Sequence, residues 1–422
     1  MLKRAKSNEF ARNVVTLITG TAVAQAIPVA ISPILTRLYS PEDFGVLALF
    51  IAITSIISVF ATLRFEIAIP QAKHSRDAAA VTALSLLLCT SISLFLLIIV
   101  SLLGHEIAAF FNEQSIANWL YLTPLSVWLF GSYQALNYWF VRKKKFKDIS
   151  KSKVLQSTTG ATVQCGSFSI INGIGLILGQ LANQAIGLIF LIRKMTPLDK
   201  MRILKSKKNH IKRNASKYQK LPKYSAIGSL ADKGSLQMPI LVIGKAFDLG
   251  SAGLFSLTFR VLNLPMSLVS TSISQVLFQK VNFLSWNEPH KVKTYILKLF
   301  ALLLGLMVPF ILIVNIYAED AFALVFGEAW RKSGEMGAYL VWAIAIRFAV
   351  SPLSTVLALE KNIKIGVLWQ IIYFFTITTT LIVAAMHGLD ALIISFVVHE
   401  VILYGLYFLL ILSGASRLRV SK

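Results

Sequence analysis

Long apolar blocks recur along the whole chain and are separated by short polar segments. Each block is about twenty residues long, the length that an α-helix needs to cross the hydrocarbon core of a bilayer. A membrane-spanning chain must form helices or a closed barrel, and the alternating segments of about ten residues that form barrel strands are absent. The pattern therefore predicts an all-α integral membrane protein with twelve transmembrane helices. The predicted spans are residues 13–37, 44–63, 78–103, 116–141, 154–171, 174–192, 224–244, 251–279, 295–316, 335–359, 365–386 and 389–412.

The composition supports a membrane protein and excludes several other classes. Hydrophobic residues make up 56% of the 422 positions and charged residues only 14%, whereas a soluble domain carries about 25% charged residues. A soluble enzyme, a disordered chain and a fibrous repeat are therefore excluded. No glycine-rich phosphate loop precedes a Lys-Ser or Lys-Thr pair, and the histidines and cysteines show no metal-ligand spacing. We expect no catalytic residue, no metal and no cofactor.

The positive charge of the chain is distributed unevenly among the predicted loops. Lysine and arginine outnumber aspartate and glutamate by 42 to 19, which gives a net charge of +23. If the N-terminus is inside, 34 of the 42 cations lie in inside segments, 3 in outside loops and 5 within or next to spans. Such a bias is typical of the positive-inside rule, under which cytoplasmic loops keep the cations. It predicts that both termini are cytoplasmic, and it accounts for the charge without nucleic acid as a partner.

The longest polar segment, residues 193–223, lies near the middle of the chain and carries twelve cations against one acid. We predict two six-helix bundles, 1–192 and 224–422, joined by this basic cytoplasmic linker. An echo of the Pro-Ile-Leu of residues 33–35 in residues 239–241 supports a parallel repeat, with a pseudo-two-fold axis along the membrane normal. The linker is interpreted either as a solvated segment attracted to anionic lipid headgroups or as a docking segment for a partner.

Charged residues within the predicted spans are the strongest indication of function, because each costs about 3 kcal/mol at mid-depth unless it has a partner or water. Cations outnumber acids among those that fall in or at the ends of spans. They are Arg37, Arg64, Lys233, Arg260 and Arg347, with Glu66, Asp232 and Glu400. Two interpretations are open at this point. These residues form either a closed network of ion pairs or a wet cavity whose excess positive charge binds an anionic ligand.

Several neighbouring features also allow two interpretations. Arg64 and Glu66 lie at the inner end of span two, where snorkelling or capping of the helix end would explain them. His399 is either a proton relay to the adjacent glutamate or a packing residue. Amide and hydroxyl side chains are dense in several spans, which fits helix–helix contacts or a hydrophilic passenger such as a glycan. Pro28 and Pro33 interrupt the backbone hydrogen bonds of span one, which predicts either a static kink there or a bending element for gating.

Several stretches of the chain resemble one family of transporters, and they occur in the order expected for that family. The first runs from Arg12 to Gly45 and includes Ser32-Pro33-Ile34-Leu35-Thr36-Arg37-Leu38-Tyr39-Ser40-Pro41-Glu42-Asp43. The others are Leu63-Arg64-Phe65-Glu66-Ile67, Leu221-Pro222-Lys223-Tyr224, Arg260-Val261-Leu262-Asn263-Leu264-Pro265 and Phe326-Gly327-Glu328-Ala329-Trp330. Together they resemble the Wzx-type O-antigen and polysaccharide flippases, the polysaccharide-transporter branch of the multidrug/oligosaccharidyl-lipid/polysaccharide (MOP) exporter superfamily.

The resemblance implies two six-helix bundles around a V-shaped cavity in the bacterial inner membrane. It implies transport of an undecaprenyl-diphosphate-linked oligosaccharide, such as an O-antigen repeat unit, from the cytoplasmic to the periplasmic leaflet by alternating access. We then expect the five cations named above to contact this passenger, with Lys233, Arg260 and Arg347 on its diphosphate. The three acids would balance charge or couple ions. Membrane lipids, a polysaccharide polymerase and a chain-length regulator are the other candidate partners.

Two alternatives are open on the sequence alone. A multidrug exporter of the same superfamily would favour an acidic cavity for organic cations, whereas the spans here carry more cations than acids. A membrane glycosyltransferase or polymerase needs a sizeable outside loop with carboxylates, and the predicted outside loops are all short.

Overall fold

The computed structural model describes residues 2–111, 115–171, 174–358 and 363–417, and every regular element within these ranges is a helix. In the first part of the chain the α-helices are α1 (Leu2–Ala30), α2 (Ser32–Leu38), α3 (Pro41–Ala61), α4 (Ala68–Gln71), α5 (Ser75–Phe110), α6 (Ser115–Leu120), α7 (Thr123–Arg142), α8 (Phe146–Ile171), α9 (Ile174–Lys194), α10 (Pro197–Leu204), α11 (Lys208–Tyr218) and α12 (Lys220–Ala246). They are followed by α13 (Leu249–Asn287), α14 (Pro289–Phe326), α15 (Arg331–Val350), α16 (Ile363–Ala385) and α17 (Leu389–Arg417). Short 3-10 helices cover Phe65–Ile67, Glu328–Trp330 and Ser351–Ala358.

These helices confirm an all-α membrane protein. In the described part of the chain, eight helical segments are long and apolar enough to cross a membrane. The twelve-span count goes beyond these eight and stays a prediction. The cations at the two ends of the chain, which contribute to the predicted orientation, lie on residues 1–15 and 416–422, outside the side chains that the structure describes. The cytoplasmic position of both termini is therefore still a prediction as well.

Span one is divided into two helices at the position where the sequence predicts a kink. Helix α1 ends at Ala30 and α2 begins at Ser32, with Pro33 in the first turn of α2. The Ser32 hydroxyl donates a hydrogen bond of 2.6 Å to the carbonyl of Pro28 and so satisfies an acceptor near the break. Proline lacks the amide proton that a continuous helix requires, which explains why the break falls between these two prolines.

The start of α3 is fixed by a capping box at Ser40-Pro41-Glu42-Asp43. The Ser40 hydroxyl accepts a hydrogen bond of 3.3 Å from the amide of Asp43, and the Asp43 carboxylate accepts one of 3.0 Å from the amide of Ser40. Pro41 occupies the first helical position, where its missing amide proton costs nothing. The reciprocal bonds satisfy two amides that the helix leaves unpaired, so α3 begins at a defined residue.

The chain forms two compact units, Met1–Gln237 and Met238–Lys422. In the first unit, α8 packs against both α1 and α9, while α7 packs against α3, α5 and α9. The contact between α8 and α9 is close, since a Cβ added at Gly179 would lie 2.8 Å from the carbonyl oxygen of Gly160. Small residues let helix backbones approach in this way within a membrane, where no hydrophobic effect drives the helices together.

The second unit is built around α15, which packs against α13, α14 and α17. Helix α14 ends at Phe326, and the next residue, Gly327, has a φ of +106°, a backbone conformation that other residues rarely adopt. The buried Trp330 follows directly, and α15 then returns alongside α14 so closely that a Cβ at Gly334 would lie 2.4 Å from the carbonyl oxygen of Ala318. Helix α16 packs against α17. The central position of α15 buries one of its polar residues, Arg347, which is described below.

Candidate functional site

The first unit contains a cavity of about 320 Å³ between helices α3, α7, α9 and the first half of α12. Most of the side chains that line it are polar. The hydroxyl groups come from Thr54, Ser55, Ser58, Thr62 and Ser229, the amides from Gln134, Gln180 and Gln184, and the charges from Arg64, Glu66, Asp232 and Lys233. Four of the eight charged residues predicted from the sequence therefore line one cavity, together with hydrogen-bonding groups of several kinds.

Arg64 and Glu66 are presented to this cavity by an unusual turn. After α3 ends at Ala61, Leu63 and Arg64 both have left-handed backbone conformations, with φ of 47° and 61°. Such conformations cost a non-glycine residue about 1–2 kcal/mol, so the surrounding contacts must hold the turn in place. Backbone hydrogen bonds from Leu63 to Phe60 and from Phe65 to Thr62, at 2.9 and 3.1 Å, close the turn. Arg142 of α7 fixes the segment that follows it by donating hydrogen bonds to carbonyls of α4.

The turn pairs the two charges while leaving a donor of Arg64 unused. Glu66 is 3% exposed, and its carboxylate accepts a hydrogen bond from the hydroxyl of Thr62. The Arg64 guanidinium lies 3.4 Å from the Glu66 carboxylate. In the described part of the chain, Nε of Arg64 is buried without a hydrogen-bond partner. Capping or snorkelling alone does not account for a buried and unused donor at a polar cavity, whereas an incoming acceptor would satisfy it.

Asp232 and Lys233 line the same cavity from α12, and both are exposed to it. Neighbouring residues on a helix point about 100° apart, so these two side chains diverge. Within the described residues, no oppositely charged group lies within 4 Å of either side chain. Lys233 therefore provides the cavity with an ammonium group that no carboxylate neutralises by direct contact.

A second cluster of predicted residues lies inside the second unit, where Arg347 of α15 meets Glu400 of α17. Glu400 is fully buried and the Arg347 side chain is 11% exposed. The pair is bidentate: Nε of Arg347 bonds to one carboxylate oxygen of Glu400, and a terminal nitrogen bonds to the other at 3.1 Å. The hydroxyl of Tyr373 accepts a hydrogen bond of 2.6 Å from Arg347 and donates one to Glu400. The sequence left open whether the charged residues form ion pairs or line a wet cavity, and Arg347 and Glu400 form an ion pair.

Aromatic rings enclose the Arg347 guanidinium. Its central carbon lies 5.6 Å from the ring centre of Phe259, 5.9 Å from that of Phe396 and 5.5 Å from that of Tyr404. Cation–π contacts of this kind strengthen when water is excluded. The cluster thus has the features of a stable buried ion pair, with hydrogen bonds for the carboxylate and ring faces for the cation.

The remaining predicted residues belong to neither group. Arg260 is half-buried on α13, and Arg37 is exposed in the last turn of α2. Among the described residues, no carboxylate lies within 4 Å of either guanidinium. His399 is buried, and its Nε2 lies 3.1 Å from the Thr376 hydroxyl while its Nδ1 lies 4.0 Å from Glu400. The hydrogen bond to Thr376 fits the packing interpretation. A proton relay would need a hydrogen bond between His399 and Glu400, and their separation of 4.0 Å is too long for one.

Two polar residues with buried contacts are absent from the sequence-based set, one in the Arg347–Glu400 cluster and one outside both groups. Tyr373 carries no charge and is 27 positions away from Glu400, so nothing local in the sequence connects it to the ion pair. Lys153 lies in a segment that the sequence assigns to a cytoplasmic loop, yet it is half-buried on α8 and donates a hydrogen bond of 3.0 Å to the Thr21 hydroxyl of α1. The only sequence signal for its burial is that Lys153 directly precedes a predicted span.

The chain is similar to known membrane proteins in both sequence and fold. Residues 34–335 match the family described as "Polysaccharide biosynthesis protein". An "Uncharacterized membrane protein in cps region" of Klebsiella pneumoniae is 22% identical over 370 residues, which cover 84% of this chain and 73% of that protein. The lipid II flippase MurJ in an inward closed conformation is 13% identical with a TM-score of 0.74, covering 94% of this chain and 87% of that one. An inward-facing multidrug resistance MATE family transporter of the MOP superfamily is 12% identical with a TM-score of 0.64, covering 96% of each chain.

The fold and the polar cavity define a multi-pass membrane protein with the fold of MOP-superfamily transporters. The chain belongs to the polysaccharide biosynthesis protein family, whose model matches well over half of its length. The resemblance found in the sequence is thereby confirmed. This family and fold confirm the expectation of a protein that is not an enzyme, and they disfavour the glycosyltransferase or polymerase alternative.

Proposed function

We propose that the protein is a flippase that moves an undecaprenyl-diphosphate-linked oligosaccharide from the cytoplasmic to the periplasmic leaflet by alternating access. Three observations support this proposal: membership of a polysaccharide biosynthesis family, a fold similar to that of a lipid II flippase, and a cavity rich in hydrogen-bonding groups. A multidrug exporter is the second candidate, since MATE transporters have a similar fold. The family assignment and the positive charge favour the lipid-linked glycan.

The observation that carries the proposal is an imbalance of charge among the predicted site residues. Glu66 and Glu400 each have an arginine partner, whereas Arg37, Lys233 and Arg260 have no carboxylate within 4 Å among the described residues. Asp232 is the one acid of the set that remains to balance three cations. An uncompensated cation within a bilayer is costly, so water or an anionic ligand must solvate it. A diphosphate supplies the missing negative charge.

The polar lining of the cavity suits the headgroup that carries this diphosphate. Gln134, Gln180 and Gln184 offer amide donors and acceptors, and the serine and threonine hydroxyls add more. Sugar hydroxyls need partners of both kinds, whereas a purely apolar cavity would leave them unsatisfied. In the proposal, Lys233 and Arg64 bind the diphosphate in the cavity, and Arg37 and Arg260 provide further contacts along the route. Arg347 can contribute only when its ion pair with Glu400 opens.

The membrane potential would assist this movement. Carrying one charge across 100 mV is worth about 2.3 kcal/mol, and an inside-negative potential drives an anionic headgroup outward. Glu66, Asp232 and Glu400 remain candidates for balancing charge or for coupling transport to a proton or sodium ion.

The function is tested by deleting the gene and locating the lipid-linked repeat unit. We expect the deletion strain to assemble complete repeat units and to accumulate them in the inner leaflet, because synthesis continues while transport stops. Leaflet position is measured by the access of a sugar-modifying reagent to intact cells and to inverted vesicles. Loss of repeat-unit synthesis, or normal surface polysaccharide with a raised susceptibility to drugs, would contradict the proposal.

The proposed architecture has twelve spans in two six-helix bundles, 1–192 and 224–422, joined by the linker 193–223, with both termini in the cytoplasm. It is tested with reporter fusions of alkaline phosphatase, which is active only outside the cytoplasm. We expect active fusions after Phe111 and Phe247, and inactive fusions after Lys145 and Ser206. Activity after Ser206 would mean that α8 or α9 does not cross the membrane, and would contradict the proposed topology.

A further inference from the structure

Helix α10 (Pro197–Leu204) has an apolar face that the rest of the described chain leaves uncovered. Leu198, Met201 and Leu204 are 59%, 46% and 84% exposed. They are spaced three residues apart, so they lie on neighbouring positions of one side of the helix. Single exposed apolar residues are common on proteins, but three on one short helix within a strongly basic segment require an explanation.

The opposite face of α10 is fixed to the protein. Asp199 is buried, and its carboxylate accepts a hydrogen bond of 2.9 Å from the ammonium of Lys143, which directly follows α7. Burial raises the pKa of Asp199, but the hydrogen bond and charge of Lys143 outweigh that effect and hold the pKa below its usual value. The carboxylate therefore stays ionised and paired at neutral pH. Ile203 is buried on the same side, and α10 packs against α5. The helix cannot rotate its apolar face inward without breaking these contacts.

Basic residues lie on both sides of the apolar face. At 100° per residue, Lys200 lies on one side of it and Arg202 on the other, and Lys205 follows directly at the C-terminal end of the helix. Helix α11 adds exposed cations and is itself fixed to α5, because the Asp77 carboxylate accepts hydrogen bonds of 2.9 Å from Arg213 and 3.2 Å from Asn214. We call Leu198, Lys200, Met201, Arg202, Leu204 and Lys205 the α10 surface.

The chain connection requires the α10 surface to lie close to the membrane. Helix α9 is a candidate span that ends at Lys194, and only Met195 and Thr196 separate it from α10. Three residue steps of extended chain cover at most about 10 Å. Ile189 and Ile192 in the last turns of α9 are also exposed. Apolar exposure therefore continues from the end of a spanning helix onto α10 without a long break.

We propose that the α10 surface binds anionic phospholipids of the surrounding bilayer, with its three apolar side chains inserted among the acyl chains and its cations on the phosphates. A helix with an apolar face flanked by lysine and arginine is typical of interfacial binding, and each cation near an anionic surface adds attraction. An acidic protein partner would match the cations, but the short connection to α9, a candidate span, favours lipid as the occupant. Lipid binding at the α10 surface does not depend on which molecule the protein transports.

The test places a fluorescent label on the apolar face of the full-length protein in lipid nanodiscs. The substitution L204C is made in a C165S background, since Cys89 is fully buried. In bilayers that contain phosphatidylglycerol, we expect nitroxide lipids to quench the label and aqueous iodide to have little access to it. The same label on S216C, at an exposed position of α11, should remain open to iodide.

Charge variants separate a specific surface from general electrostatic attraction. Each cation should strengthen attachment about fivefold, so K200Q/R202Q/K205Q should release the label into water. The matched variant K73Q/R76Q/K293Q removes three exposed cations elsewhere and should leave it inserted. A label that stays accessible to iodide in phosphatidylglycerol bilayers would overturn the proposal and favour a protein partner. Insertion that is equal in purely zwitterionic bilayers, or that both triple variants lose equally, would also overturn it.

Discussion

Replacing Arg347 with alanine is expected to destabilise the second unit by about 3–5 kcal/mol, because Glu400 would remain buried as an unpaired carboxylate. Glu400 is fully buried, and its partners beyond Arg347 are a tyrosine hydroxyl and a histidine at 4.0 Å. The substitution also empties the ring of Phe259, Phe396 and Tyr404 around the guanidinium. Thermal unfolding of the purified protein in detergent measures the effect.

A double variant separates the ion pair from simple loss of packing. Removing both charges together, as in R347M/E400Q, leaves no isolated charge, so we expect a smaller loss of stability than in either single variant. K291A is the matched control, since Lys291 pairs with Glu288 at an exposed position and should change the unfolding temperature little. If R347A unfolds like the wild type, or if the double variant is the least stable of all, the buried pair does not stabilise the fold.

Replacing Lys233 with glutamine is expected to reduce export of the lipid-linked glycan at least about tenfold while leaving the protein folded. Lys233 is exposed in the cavity and has no ion-pair partner within 4 Å among the described residues, so its removal breaks no ion pair there. A hydrogen bond to a charged group contributes about 1.5–3 kcal/mol, which corresponds to roughly ten- to a hundredfold in binding. Surface polysaccharide, normalised to the amount of protein in the membrane, is the measurement.

The matched control for this variant is K298Q, because Lys298 is another exposed lysine on a helix that is a candidate span. It does not line the cavity, so we expect normal export. The combination K233Q/R260Q should export less than either single variant, since both removed groups are cations without a carboxylate partner. Normal export by K233Q, R260Q and the double variant would contradict the role proposed for these cations.

The helices, and the break between α1 and α2, could be predicted because each depends on residues that are close together in the sequence. Apolar blocks mark the helices, and Pro28 and Pro33 mark the break between α1 and α2, because a proline affects only the backbone next to it. The number of spans is harder to predict, since a polar helix such as α8 crosses a bilayer only when its neighbours cover its polar face. That condition belongs to tertiary packing, which no single segment contains.

The charged site residues could be identified from the sequence as a set, but the sequence did not show which of them form ion pairs and which line the cavity. The cost of a charge in lipid singles out Arg347 and Glu400 from the sequence, yet they are 53 positions apart and only the packing of α15 against α17 brings them together. Arg64 and Glu66 pair through a local turn, which the sequence could not distinguish from a helix end. Neutral partners such as Tyr373 carry no signal of their own, because a tyrosine in a span also serves as a packing or interfacial residue.

The most direct test of the proposed charge recognition compares two lipids that differ only in the diphosphate. Purified protein in nanodiscs is titrated with undecaprenyl diphosphate and with undecaprenol, and bound lipid is counted by native mass spectrometry. We expect the diphosphate lipid to bind at least about tenfold more tightly, and K233Q to remove most of this difference. Equal binding of the two lipids by the wild-type protein would contradict the proposed charge recognition.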